Sequence, residues 1–226
     1  VIGRRPRMFD LDDIIRVGRE LGMRRLSMNA VAAELGVSST ALYRAVDGRW
    51  GLERMVGESL LSDLELHDDP DHDVEQHLLS FGLQLWDFIV RHPGLGVYMQ
   101  TLFPRGDGGR LLMTHQTYAL GRFGYAPDVA MALSCVIAGI SINYAVAEDS
   151  RREDADELEV QRQEATAQLD TDEHLGEAHR EIPEIEHARF VKLVLAATIR
   201  GALAAAPPGR PLDQVVADLE AAGVGI

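Results

Sequence analysis

Apolar residues recur three and four positions apart through most of the chain, and no stretch shows the sustained alternation of a half-buried strand. The pattern predicts an all-α protein. Leu11, Ile14, Ile15, Gly18 and Leu21 make the inner stripe of a first helix. Asp10 caps it, Asp12 and Asp13 suit its first turn, and Gly22 ends it. Val31, Ala32 and Leu35 mark a second helix, followed at once by Gly36, where a left-handed residue is needed. Ser38 and Ser39 offer capping oxygens to a third, whose buried side is Ala41, Leu42 and Val46. Ala32, Gly36 and Leu42 suit two closely crossing helices: the small side chain permits approach, the glycine turns the chain, and the leucine fills the shared core. Such a helix-turn-helix presents its second helix to a DNA major groove.

The same periodicity continues beyond this head. Asp47-Gly48 reads as a turn, and a linker helix follows over 49–66, apolar at Leu52, Met55, Val56, Ser59, Leu60 and Leu64. The acidic loop 68–73 separates head from body. Helices are then predicted over 74–90, 95–102, 110–124, 127–149, 184–206 and 212–222. The fourth of these, around AMALSCVIAGISINYAVA, is apolar nearly all round. Residues 148–186 carry 15 acidic and 4 basic side chains and read as a solvated helix or loop. The organisation is therefore a head over 1–48, a linker helix over 49–66 and a helical body over 67–226.

Charge sharpens this division. The net charge of −14 splits into +3 over residues 1–56 and −17 over 57–226. The basic end suits phosphates, while the acidic body is repelled by them. Arg4, Arg5 and Arg7 form either a tail or an arm that touches the duplex. No apolar run approaches the roughly 20 residues of a membrane span, and no signal-like segment opens the chain, so a cytoplasmic protein is expected. The single cysteine, Cys135, lies in an apolar run and reads as an inert buried thiol. The eight histidines show no metal-ligand spacing, and no phosphate loop or nucleophile signature is present. Neither an enzyme nor a cofactor is expected.

AVAAELGVSSTALYRAV followed by RWGLERMV resembles the signature of the TetR family of bacterial transcriptional repressors, V-A-x-x-x-G-V-S-x-x-x-L-Y-x-x-(V/F), with its linker helix. The order of body helices is similar to the tetracycline-repressor type, with a long helix ending at Ala147-Glu148-Asp149, a variable stretch and a late apolar helix. The resemblance implies DNA contact through Ser27, Ser38, Ser39, Thr40, Ala41, Tyr43, Arg44 and Arg49. Tyr43 matches the family's phosphate-contacting tyrosine, and Arg49 stands where many members have lysine. Asp47-Gly48-Arg49 departs from the usual Lys-x-Lys run. It further implies a homodimer through residues 131–146 and 187–206, two helices that are otherwise simply core of the monomer. It places a small organic effector among Glu65, Ser80, Gln84, Tyr98, Thr101, Phe103, His115, Gln116, Ile137 and Ser141. In the tetracycline type a histidine binds magnesium with the drug; Tyr98 stands there in this chain, so no metal is implied. The function implied is a ligand-responsive repressor of a palindromic operator. The alternative is a small-molecule-binding protein or enzyme whose head is a relic.

Overall fold

The computed structural model describes residues 9–102 and 106–223. Among these every regular element is helical. The head comprises α1 (Leu11–Leu21), a 3₁₀ turn (Met23–Arg25), α2 (Met28–Leu35) and α3 (Ser39–Tyr43). Helix α4 (Gly48–Leu61) leads into the body, formed by α5 (Val74–Val90), α6 (Leu95–Leu102), α7 (Asp107–Gly121), α8 (Pro127–Glu153), α9 (Ala155–Asp170), α10 (Gly176–Glu181), α11 (His187–Ala205) and α12 (Leu212–Ala221).

Local chemistry sets the ends of the first helices. Asp10 and Asp13 form a reciprocal capping box at the start of α1. The buried face of α1 is Ile14, Val17 and Gly18. Leu11, expected in that stripe, is 52% exposed, because the face turned to α2 and α4 begins one turn later. Ser27 caps α2 by accepting from Ala30 N–H at 3.1 Å. Gly36 closes α2 at φ +68, a left-handed conformation that glycine reaches without a Cβ clash.

Helix α8 is the spine of the body. It packs against α5, α6, α7 and α11, and α11 also lies on α5. Leu133, Ile137 and Ala145 of α8 meet Leu78, Phe81 and Leu85 of α5 and Val191, Leu195 and Ile199 of α11 in one core that continues into the head. By length and composition α8 is apolar enough to cross a bilayer, contrary to the expectation that no segment would be. In this fold 44% of that apolar window is buried against neighbouring helices.

Several helix boundaries differ from the predicted ones: α7 spans Asp107–Gly121 where 110–124 was expected, and α11 begins at His187 where 184 was expected. The linker helix stops at Leu61, not at residue 66. Gln84 of α5 captures the following loop, accepting from His67 N–H at 2.8 Å and donating to its carbonyl at 3.0 Å. The acidic stretch is mostly helical: α8 runs on to Glu153, and α9 follows with no buried residue.

Candidate functional site

In the head, Leu42 and Val46 are buried beneath α3, which turns Thr40, Tyr43 and Arg44 outward. Tyr43 is 57% exposed. Ser38 caps α3, accepting from Ala41 N–H at 3.2 Å, so its own hydroxyl proton is left to donate elsewhere. Ser39 donates to Asn29 Oδ1 at 2.8 Å and thereby pins α3 to α2. Its proton is engaged, and Ala41 is only half-exposed. Arg49 is exposed but paired: its Nε donates to Glu53 at 2.5 Å, and its guanidinium lies 5.2 Å from the Trp50 ring centre. Trp50 is half-exposed on the same edge and was not among the residues expected there. Its signal in the sequence was a large aromatic residue beside Arg49, outside the apolar stripe. Arg4, Arg5 and Arg7 lie outside the described residues.

The body positions singled out from sequence do not line one cavity. Ile137 and Ser141 are fully buried, with Ser141 Oγ donating to the Ile137 carbonyl at 3.0 Å. Gln116 is buried beside His77, its Oε1 at 3.2 Å from Nε2. His77 Nδ1 in turn lies 2.9 Å from Asp68, which also pairs with Arg122. Burial pushes the Asp68 carboxyl up, but the His77 hydrogen bond and the nearby charges outweigh it and hold the group below its ordinary range. His115 touches this cluster from its edge, 3.5 Å from Gln116. Gln84 is occupied by His67 and by Ser80, to which it donates at 2.9 Å. Glu65 and Thr101 are exposed. Phe103 lies outside the described residues. The shared reason is physical: most of these polar groups find partners within the protein and are packed around them.

Open space lies elsewhere. A cavity of about 150 Å³ sits between α6, α7 and α8, lined by Met99, Gln100, Leu112, Met113, Cys135 and Asn143. Gln100 donates to Asn143 at 2.8 Å, a polar pair on an otherwise apolar lining. Outside α7 a cleft of about 1300 Å³ carries Leu111, Thr114, Tyr118 and Met131. The two spaces share Gly109, Met113 and Cys135. Cys135 is half-buried on this shared wall, and burial pushes its thiol up. Among the described residues no three His, Cys, Asp or Glu side chains converge to hold a metal.

A buried carboxylate joins α4 to this region. Glu58 is 8% exposed and accepts three hydrogen bonds: from the Tyr98 hydroxyl at 2.9 Å, from Gly106 N–H at 2.8 Å and from Gly109 N–H at 2.8 Å. Tyr98 is therefore an anchor, 2% exposed, with its hydroxyl held by Glu58. Its phenol is pushed well above the ordinary range by burial and by the bond to Glu58. Its ring covers Gly57, where a Cβ would lie 2.5 Å from it. Sequence reasoning missed Glu58; the signal available was an acid following the apolar Val56 in the linker helix.

No protein-family model matches the chain, and no curated protein sequence matches it. Solved structures do. ActR of Streptomyces coelicolor, a TetR family protein, in complex with actinorhodin is 21% identical with a TM-score of 0.76, covering 90% of this chain and 100% of that one. BioQ of Mycobacterium smegmatis is 19% identical with a TM-score of 0.58, covering 87% and 99%. A TetR variant from Acinetobacter baumannii in complex with minocycline is 15% identical with a TM-score of 0.60, covering 86% and 96%. The overlap covers most of this chain and nearly all of each of those, and the fold of this chain is that of the TetR family of transcriptional regulators.

Proposed function

We propose that the chain is a ligand-responsive, DNA-binding transcriptional regulator that acts as a homodimer in the cytoplasm and represses until an effector releases it from a palindromic operator. The observation that carries the reading is the exposed edge Thr40, Tyr43 and Arg44 on a basic head, joined by α4 to an acidic, cavity-bearing body. Thr40, Tyr43 and the cap hydroxyl of Ser38 donate to phosphates, and Arg44 reaches a guanine edge or a phosphate. Ser27 and Ser39 act through the geometry of the motif, as cap and as pin.

The effector site in this reading is the space between α6, α7 and α8, not the ten positions carried over from the family. Its lining suits a mid-sized organic molecule, mostly apolar, with a polar group to meet Gln100 and Asn143. Structures of this fold in complex with actinorhodin and minocycline support a small-molecule effector.

Dimerisation through α8 and α11 is supported by an uncovered stripe. Phe190, Leu193, Ala197, Gly201 and Ala204 are exposed at helical spacing along one face of α11. Tyr144 of α8 packs edge-on against Phe190 at 6.0 Å and extends that face, and Val136 of α8 is 47% exposed. An apolar surface of this kind calls for a partner.

Selection from random duplex DNA, followed by fluorescence anisotropy at several salt concentrations, tests the reading. The wild type is expected to bind with affinity falling steeply as salt rises. Tyr43→Ala with Arg44→Ala is expected to cost about tenfold or more and to flatten the salt slope. Absence of wild-type binding at low salt, or an unchanged double variant, overturns it.

A further inference from the structure

We propose that the Glu58 carboxylate is the latch through which occupancy of the α6–α7–α8 cavity is passed to the DNA-binding head. The proposal rests on the reading above and adds the residue that couples its two ends.

Glu58 belongs to α4, and the head is fastened to α4 one residue further on. Arg19 of α1 donates to the Ser59 carbonyl at 2.7 Å and to its hydroxyl at 3.0 Å, and pairs with Asp63. Any shift of α4 at Glu58 therefore carries α1 with it. The three donors to Glu58 come from the body: Tyr98 in α6, and Gly106 and Gly109 at the start of α7. Those two elements are also walls of the cavity. Met99 and Gln100 follow Tyr98 in α6, while Gly109, Leu112 and Met113 line it from α7.

Size decides how the two are linked. Sites for organic ligands occupy about 300–1,000 Å³, and this cavity encloses about 150 Å³. A mid-sized ligand moving in from the outer cleft is seated only if α6 and the first turn of α7 move apart. That movement withdraws the groups that grip Glu58. A buried carboxylate stripped of its donors is strongly disfavoured, so α4 must shift to let it reach water. The latched arrangement and the filled cavity exclude each other, which makes them two states of one element. By linkage, opening the latch strengthens ligand binding by the factor by which the ligand weakens the latched, DNA-binding state.

Two variants open the latch from different sides. Tyr98→Phe removes one donor and keeps the ring. Gly106→Ala places a Cβ 2.5 Å from Glu58 Cδ, at a φ of −82 that alanine adopts freely. DNA affinity is read by anisotropy, cavity access by the fluorescence of 8-anilinonaphthalene-1-sulfonate, and local opening by amide exchange in α4 and α7. Both variants are expected to unfold in one cooperative transition, to bind DNA about fivefold or more weaker, and to bind the probe correspondingly tighter. A cooperatively folded variant whose DNA and probe affinities both stay within about twofold of wild type overturns the latch. If the wild type binds no DNA, the regulator reading fails by itself, and exchange still judges the latch. Faster exchange at Gly109 and in the second half of α4 supports it, and unchanged exchange overturns it.

Discussion

Arg24, in the 3₁₀ turn behind α1, donates to both the carboxylate and the backbone carbonyl of Asp149, 125 residues further along the chain. The other Asp149 oxygen accepts Gly94 N–H at 2.8 Å. One carboxylate thus ties the head to the end of α8 and to the α5–α6 turn. The two ends of the pair are unequal: the Arg24 side chain is 38% exposed and that of Asp149 18%. Asp149→Ala strands the Gly94 N–H and takes one carboxylate partner from Arg24, which keeps the backbone carbonyl and Glu153, and is expected to cost about 1–2 kcal/mol. Arg24→Ala leaves the Gly94 bond intact and is expected to cost under about 1 kcal/mol, since the guanidinium is partly solvated. In thermal melts of a chain this size each kcal/mol is roughly 2–4 °C. Equal melting temperatures for the two variants would remove the Gly94 bond from this account.

Gly94 itself is held in place twice over. Its φ is +86, and a Cβ would lie 2.7 Å from the Arg24 backbone nitrogen. Gly94→Ala therefore meets left-handed strain and a clash with backbone that cannot rotate away. The combined cost is expected to be about 3 kcal/mol. Chemical denaturation should show the loss with an unchanged slope. A variant within about 1 kcal/mol of wild type would mean that the head is free to move off the α5–α6 turn.

These long-range ties mark where sequence reading stops. Asp10, Gly36 and Ser38 were legible because a cap or turn is decided by residues within a few positions. Leu42 and the apolar faces of α5, α8 and α11 were legible from helical periodicity. The end of α4 was not, because His67 and Asp68 are held by Gln84 and His77 of the next helix. The candidate effector positions do not share one cavity for a related reason. Gln84 and Gln116 are polar residues on inward faces, which reads equally as ligand contact or as internal hydrogen bonding; here it is the latter. Glu58 was the hardest to see, since two of its three partners are glycine N–H groups about fifty residues away, with no side chain to betray them.

The stripe on α11 makes a direct prediction about assembly. Ala197 lies at its centre, exposed, with Leu193 one turn before it and Gly201 one turn after. Ala197→Arg puts a charge where two apolar faces would meet, while its own helix has no neighbour there to disturb. The protomer mass is 24.9 kDa. Sedimentation equilibrium is expected to give twice that mass for wild type and the protomer mass for the variant, with helicity unchanged. A dimeric variant would move the interface away from this face of α11.

The start of α11 is expected to respond to mild acid. Arg151 lies against both ring nitrogens of His187, at 3.0 and 3.2 Å, and can donate only to the unprotonated one; Glu148 lies 3.5 Å from Nε2. Burial, and then the Arg151 charge, push the imidazole below its ordinary 6.5, while Glu148 and Glu186 pull the other way without prevailing. The folded protein thus holds His187 neutral where the unfolded chain protonates it. With the folded value depressed, the contribution to stability is complete above 6.5 and is lost as pH falls from there through the folded value. His187→Gln keeps a polar side chain and cannot take up the proton. Wild type is therefore expected to lose more melting temperature than His187→Gln between neutral pH and about pH 5.5, before most carboxylates titrate. Parallel pH profiles for the two proteins would mean that His187 is not the group that senses the change.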